Sequence, residues 1–120
     1  MTTSPQYGPV ELISPHLDQS AVVRGGTQDA PIVLLMHGLG SDERDLAGLV
    51  PFLPPVFEYV SVRGIFRYVQ GFAWFDMPVD PDRPEAIEAS AAAVEEWIAA
   101  QDRPVVGAIG FSQGGAVALQ

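Results

Sequence analysis

Hydrophobic positions fall along the chain in short blocks, and their spacing switches between the strand and helix periods. Val10-Glu11-Leu12-Ile13 and Ala21-Val22-Val23-Arg24 read as two short strands, with turns at Asp18-Gln19 and Gly25-Gly26, so the sheet is expected to start antiparallel. Pro31-Ile32-Val33-Leu34-Leu35-Met36 is unbroken and apolar, as in a strand covered on both faces, and it stops at His37-Gly38-Leu39-Gly40. Ser41 or Asp42 can then cap a helix whose apolar stripe is Leu46, Leu49, Val50 and Leu53, ended or kinked by Pro51 and stopped by Pro54-Pro55. Phe57 to Val62 alternates as a strand does. Residues 64–81 are aromatic, with Phe66, Tyr68, Phe72, Trp74 and Phe75, and are expected to be irregular.

A second helix is predicted from Asp82 as cap, with Pro84 and Glu85 in the first turn. Its buried stripe is Ile87, Ala91, Val94 and Ile98, and Glu88, Glu95 and Glu96 face water. Pro104 to Ile109 is expected as another buried strand, 110–114 as a turn, and Ala116 as the start of a further helix. Strands alternating with helices give an α/β class: a mostly parallel central sheet flanked by helices, in one domain over residues 1–120.

The turn at 110–114 carries candidate chemistry. Gly110-Phe111-Ser112-Gln113-Gly114 fits G-x-S-x-G, in which a serine sits on a sharp strand-to-helix turn and its neighbours two positions away must be small. The pattern alone is equally a glycine-rich loop; its place after an apolar strand and before a helix is what selects a nucleophile. Acyl transfer also needs two preorganised N–H donors for the oxyanion. The residue after the serine, Gln113, supplies one. The glycine-flanked Leu39, at the end of the earlier strand, supplies the other. His37 is read as a structural residue beneath that loop, and His16 as a surface or turn histidine.

Composition narrows the functions. Over 120 residues, 48% are hydrophobic, enough for a packed core. Fifteen acidic residues against six arginines give a net charge of −9, which disfavours nucleic acid and anionic membranes. Without cysteine there is no disulfide scaffold and no thiolate nucleophile. The run Asp80, Asp82, Glu85, Glu88 reads as a solvated face and helix cap, so no metal and no cofactor are expected. The start has no secretory pattern and no apolar stretch reaches membrane-spanning length, so the expected location is cytoplasmic.

Four blocks together, Leu35-Met36-His37-Gly38-Leu39-Gly40, Arg63-Gly64, Trp74-Phe75-Asp76 and Gly110-Phe111-Ser112-Gln113-Gly114-Gly115, resemble the phospholipase/carboxylesterase family of the α/β-hydrolase fold, which includes the acyl-protein thioesterases. The resemblance runs from about Val10 to the end. It implies a serine hydrolase of carboxylic esters or thioesters, with Ser112 as nucleophile and Leu39 and Gln113 as oxyanion donors. It also implies that Trp74 and Phe75 border the acyl pocket; ordinary core packing is the alternative for both. Asp76 is read as a loop-fixing hydrogen-bond acceptor. Ile65 departs from the family, which usually has proline there. In that family the triad Asp and His follow the serine, and no Asp, Glu or His follows Ser112 in this sequence. The fold is therefore expected to be incomplete on its C-terminal side. The expected partner is a small ester or thioester, with a homodimer allowed; the rival reading is a catalytically incompetent fragment that pairs with a missing half.

Overall fold

The structure, a computed structural model, describes residues 10–75 and 84–118. Its main sheet has four strands: β2 (Val23–Gly26), β3 (Ile32–Met36), β4 (Glu58–Val62) and β7 (Val105–Gly110), in the order β2-β4-β3-β7. β3 runs parallel to both β4 and β7, and β2 is antiparallel on the far edge. A small antiparallel sheet of β1 (Glu11–Leu12), β5 (Phe66–Tyr68) and β6 (Gly71–Ala73) stands beside it. The helices are α1 (Glu85–Ala99) and α2 (Gln113–Ala118).

The pleat of β3 explains its uninterrupted hydrophobicity, because alternate side chains enter opposite cores. Leu34 and Met36 join Val60, Val62, Trp74, Val94, Trp97 and Val117 under the two helices. Val33 and Leu35 point the other way, to Leu46 and Tyr59, with Val50 and Leu53 packed around them. All five residues of β3 and all five of β4 are buried, so these strands form the rigid centre from which the connecting loops project.

Several expectations are corrected. The two leading strands do not pair with each other: β1 pairs with β5 and β2 with β4. Ala21 closes a 3-10 turn, Gln19–Ala21, in which the Asp18 side chain accepts from the Ser20 N–H. Leu46–Phe52 is a 3-10 helix that contains Pro51 rather than ending at it, and its N-cap is Asp45, not Ser41 or Asp42. Ser41 instead bridges to Phe72, and Asp42 accepts from the Arg44 N–H at 2.8 Å. The stretch expected to be irregular holds the β5–β6 hairpin, whose turn puts Val69 at φ 54°.

On α1 the buried residues are Ser90, Ala93, Val94 and Trp97, so the covered face is rotated from the one the pattern indicates; Ile87, Ala91 and Ile98 are only half-buried. The bulk of Trp97, buried beside Val94, sets that rotation. The expected cap Asp82, together with Asp76 and Asp80, lies outside the described residues. β7, expected to be buried, is an edge strand with mostly exposed residues, because β3 covers one side of it and no described strand pairs with the other.

Candidate active site

Ser112 is the second of the two residues, Phe111 and Ser112, that form the corner between β7 and α2; it is exposed and has φ 55°, a left-handed conformation rare for a residue with a side chain. The glycines around it are there for close packing. A Cβ on Gly110 would lie 2.4 Å from the Gly115 Cα, and one on Gly114 would lie 2.1 Å from the Met36 carbonyl oxygen. Neither position has room for a side chain, so β7 and α2 can fold back on each other and on the end of β3. Two backbone bonds pin the corner: Phe111 N–H to the Met36 carbonyl at 3.0 Å, and Gly114 N–H to the Phe111 carbonyl at 3.0 Å.

The loop after β3 arrives at the same place. A Cβ built on Gly38 would lie 3.5 Å from the Ser112 Cβ and 3.2 Å from the Phe111 ring, so the first glycine of His37-Gly38-Leu39-Gly40 abuts the serine corner. Leu39 follows on that loop, half-buried against the core under the helices. The loop is held from its far side by β6. Gly40 N–H donates to the Phe72 carbonyl at 2.8 Å, and Phe72 N–H donates to the Ser41 carbonyl at 2.9 Å. The approach is so close that a Cβ on Gly71 would overlap the Gly40 carbonyl at 1.9 Å.

His37 is wholly buried under this loop. Its Nδ1 is 2.7 Å from the Gly38 carbonyl, which can only accept, and its Nε2 takes the Gly64 N–H at 2.9 Å. Those two partners fix one neutral tautomer and occupy both ring nitrogens. Burial holds the imidazole below its ordinary value of 6.5, in spite of the Gly38 bond and the nearby carboxylates of Asp42, Glu43 and Asp45. His16 lies elsewhere, 2.6 Å from the Glu96 carboxylate on α1.

Gln113 is buried, and its side chain does something the sequence reading did not anticipate. Its Oε1 accepts the Trp74 N–H at 2.7 Å and its Nε2 donates to the Phe75 carbonyl at 2.6 Å. One amide thus satisfies the outward backbone groups of the segment after β6. Trp74 and Phe75 are both buried in the core under the helices, the packing alternative left open by the sequence. The Trp74 indole N–H donates to the His37 carbonyl at 2.9 Å, and its ring lies 5.3 Å from the imidazole. The Ser90 hydroxyl of α1 donates to the Trp74 carbonyl.

Behind the loop, Arg63 and Glu43 form a two-pronged pair, Nε to Oε1 and Nη2 to Oε2, each 2.8 Å. These bonds hold the buried Glu43 carboxyl below its usual 4.5. Among the described residues, no group of His, Asp or Glu could hold a metal ion, and no helix is long and apolar enough to cross a membrane.

A family profile described as phospholipase/carboxylesterase matches residues 17–120. No match was found among curated protein sequences. Among solved structures, the chain is similar to a carboxylesterase from Bacillus cereus, with 25% identity and a TM-score of 0.61 over 81% of this chain and 50% of that one. It is likewise similar to a carboxylesterase from Mesorhizobium loti, with 25% identity and a TM-score of 0.60 over 78% and 55%. The fold also matches acyl-protein thioesterase 2 from Zea mays, with 24% identity and a TM-score of 0.62 over 94% and 50%. The chain therefore spans about half the length of the solved structures it matches. With the serine corner, the glycine loop against it and a match over nearly the whole sequence, the chain belongs to the phospholipase/carboxylesterase family of α/β-hydrolases.

Proposed function

We propose that this protein hydrolyses carboxylic esters or thioesters through an acyl-Ser112 intermediate. The observation that carries the reading is the convergence of two elements: a serine at φ 55° on a strand-to-helix corner, and a glycine loop packed against its Cβ. In the first step Ser112 Oγ attacks the carbonyl carbon and gives its proton to a general base. The carbonyl oxygen becomes an oxyanion held by the N–H groups of Leu39 and Gln113. Collapse expels an alcohol or thiol, which takes the proton back; water then attacks the acyl-serine by the reverse route and releases the acid. The segment Trp74-Phe75 borders the acyl pocket. Trp74 has no exposed surface, so its part there is to fix the segment rather than to touch the acyl chain.

The base is not His37, both of whose nitrogens are committed to backbone partners. That commitment favours a second reading for the 120 residues alone: a catalytically incompetent piece whose triad Asp and His must be supplied from further sequence. One assay separates the two. Chromogenic acetate and butyrate esters are offered to the 120-residue chain and to a longer chain carrying a downstream acid and base. We expect the short chain to turn over barely above background and the long one to be active, since loss of a triad member removes about three or more orders of magnitude in rate. Ser112→Ala should abolish the activity of the long chain without changing its melting curve. Retained turnover in Ser112→Ala would sink the mechanism. Robust turnover by the short chain, lost on His37→Ala, would sink the assignment of His37.

A further inference from the structure

A cleft of about 460 Å³ opens between the β5–β6 hairpin, the end of β4 and residues 13–19, and Ser112 is not among the residues that line it. That volume falls toward the low end of the roughly 300–1,000 Å³ typical of small-ligand sites. Its floor is apolar: Leu17 and Ile65 are buried, and the Phe72 ring forms one wall. Two guanidinium groups flank that ring, Arg63 with its central carbon 4.1 Å from the ring centroid and Arg67 at 5.5 Å.

The hydrogen-bonding capacity of these two groups is only partly used. Arg63 commits Nε and Nη2 to Glu43, while its Nη1 has only the Asp18 carboxylate at 3.7 Å, beyond hydrogen-bond reach. The other oxygen of that carboxylate, Oδ1, is taken by the Ser20 N–H at 2.9 Å and the Ser20 hydroxyl at 2.6 Å, which leaves Oδ2 facing Arg63 across the 3.7 Å gap. Arg67 makes no ion pair among the described residues, although Glu11 stands opposite it in the strand register. In a chain of net charge −9, two adjacent guanidinium edges left open over an apolar floor are out of keeping with the rest of the surface.

We propose that this cleft binds a small monocarboxylate with an apolar or aromatic body, its carboxylate on Arg67 and the free edge of Arg63, and its body laid on Leu17, Ile65 and Phe72. A planar guanidinium matches a carboxylate in two-pronged geometry. Asp18 and Glu43 already balance the charge of the two guanidiniums, so recognition rests on the open N–H edges of Arg63 and Arg67 together with the apolar floor; inorganic phosphate has no apolar body to lay on that floor and brings a second negative charge against the two carboxylates. The occupant touches the ring of Phe72, whose backbone N–H and carbonyl hold Ser41 and Gly40. Occupancy is therefore readable at the amides of that loop.

The test is titration of the purified protein with 4-phenylbutyrate, its neutral amide and inorganic phosphate, followed by amide NMR shifts and calorimetry. The acid should bind saturably, with shifts centred on Arg67, Phe72, Gly40 and Ser41. The amide should bind about tenfold or more weakly, the scale of one charge-assisted pair, and phosphate should not saturate. Arg67→Gln, an exposed position, should bring the acid down to the affinity of the amide while leaving the circular dichroism spectrum intact. Ser112→Ala should leave acid binding unchanged, so the result does not depend on whether the ester reading holds. The proposal is overturned if the acid does not saturate, if acid and amide bind equally, or if Arg67→Gln has no effect. It is equally overturned if binding is lost in Ser112→Ala with shifts centred on Gln113, which would put the acid at the serine instead.

Discussion

At Gly114 one methyl group decides whether the serine corner can close. A Cβ there would sit 2.1 Å from the Met36 carbonyl oxygen, a backbone atom that cannot swing aside, whereas a Cβ on Gly107 meets nothing within 4 Å. Gly114→Ala should therefore destabilise the fold by about 3 kcal/mol or more, and Gly107→Ala should stay within about 0.5 kcal/mol of the parent in urea unfolding. Equal effects from the two would show that the corner is not packed as described. His37 sets a pH dependence of definite sign. Its folded pKa is depressed by burial below the ordinary 6.5, so as pH falls through 6.5 the unfolded chain takes up a proton that the folded ring refuses. Stability is present above that value and is lost on the acid side, down to the folded pKa. Glu43 adds a loss of the same sign, but only below its ordinary 4.5, where the Arg63 pair no longer finds a carboxylate. Melting temperatures should thus decline from pH 7 to pH 5, with the His37 ring taking up its proton by NMR at lower pH than an ordinary imidazole. An imidazole that takes up its proton at or above the ordinary 6.5 would refute the buried-tautomer assignment.

Among the elements, α2 reaches furthest beyond its own length, because its first residue holds a different part of the chain. The Gln113 amide bonds the backbone of Trp74 and Phe75 at 2.7 and 2.6 Å, both in the interior. Gln113→Ala would strand a buried N–H and a buried carbonyl, for a loss of about 2–5 kcal/mol, though the Gln113 backbone N–H assigned to the oxyanion would remain. Gln113→Glu should do nearly as much damage, since a carboxylate can accept from Trp74 but cannot donate to Phe75. A variant with unchanged stability in denaturant would mean that the amide is not the clamp. This contact was hidden from the sequence because it is long-range: nothing near Trp74 marks it as the partner of a residue 39 positions later. The serine corner was legible for the opposite reason, as its constraints are local and steric and only glycine meets them at 110 and 114. β3 was legible from its apolar block and β4 from its alternation. The β5–β6 hairpin was not, because each strand has three residues and its turn, Val69-Gln70, lacks the Gly or Asn that usually marks one. The face of α1 was misplaced because alanines on all sides weaken the stripe, and Trp97 decides the rotation instead.

For the molecule as a whole, the decisive feature is one uncovered border of the main sheet. β7 presents an unpaired backbone edge among the described residues, with Val106 55% exposed, Ile109 36% and Phe111 62%. A cleft of about 290 Å³ runs beside it, lined by Leu34, Met36, Val94, Ile98, Val105 and Val117. Open strand edges next to apolar surface invite pairing with another chain. Opposing this is the net charge of −9, which makes copies of the chain repel one another at low ionic strength. Raising salt screens the repulsion, with a Debye length of about 10 Å at 0.1 M and about 3 Å at 1 M, but leaves the apolar attraction in place. Association of the 120-residue chain should therefore strengthen with both concentration and salt. This is the reverse of what an assembly held by opposite charges would do. Val106→Lys, which adds a cation at a solvent-facing position on the open edge, should weaken association at high salt without lowering stability by more than about 0.5 kcal/mol. Sedimentation velocity at 0.05 and 0.5 M salt on both proteins checks the point. A parent chain that stays monomeric at every concentration and salt, or a Val106→Lys chain that associates as strongly, would show that this border does not drive contact between copies.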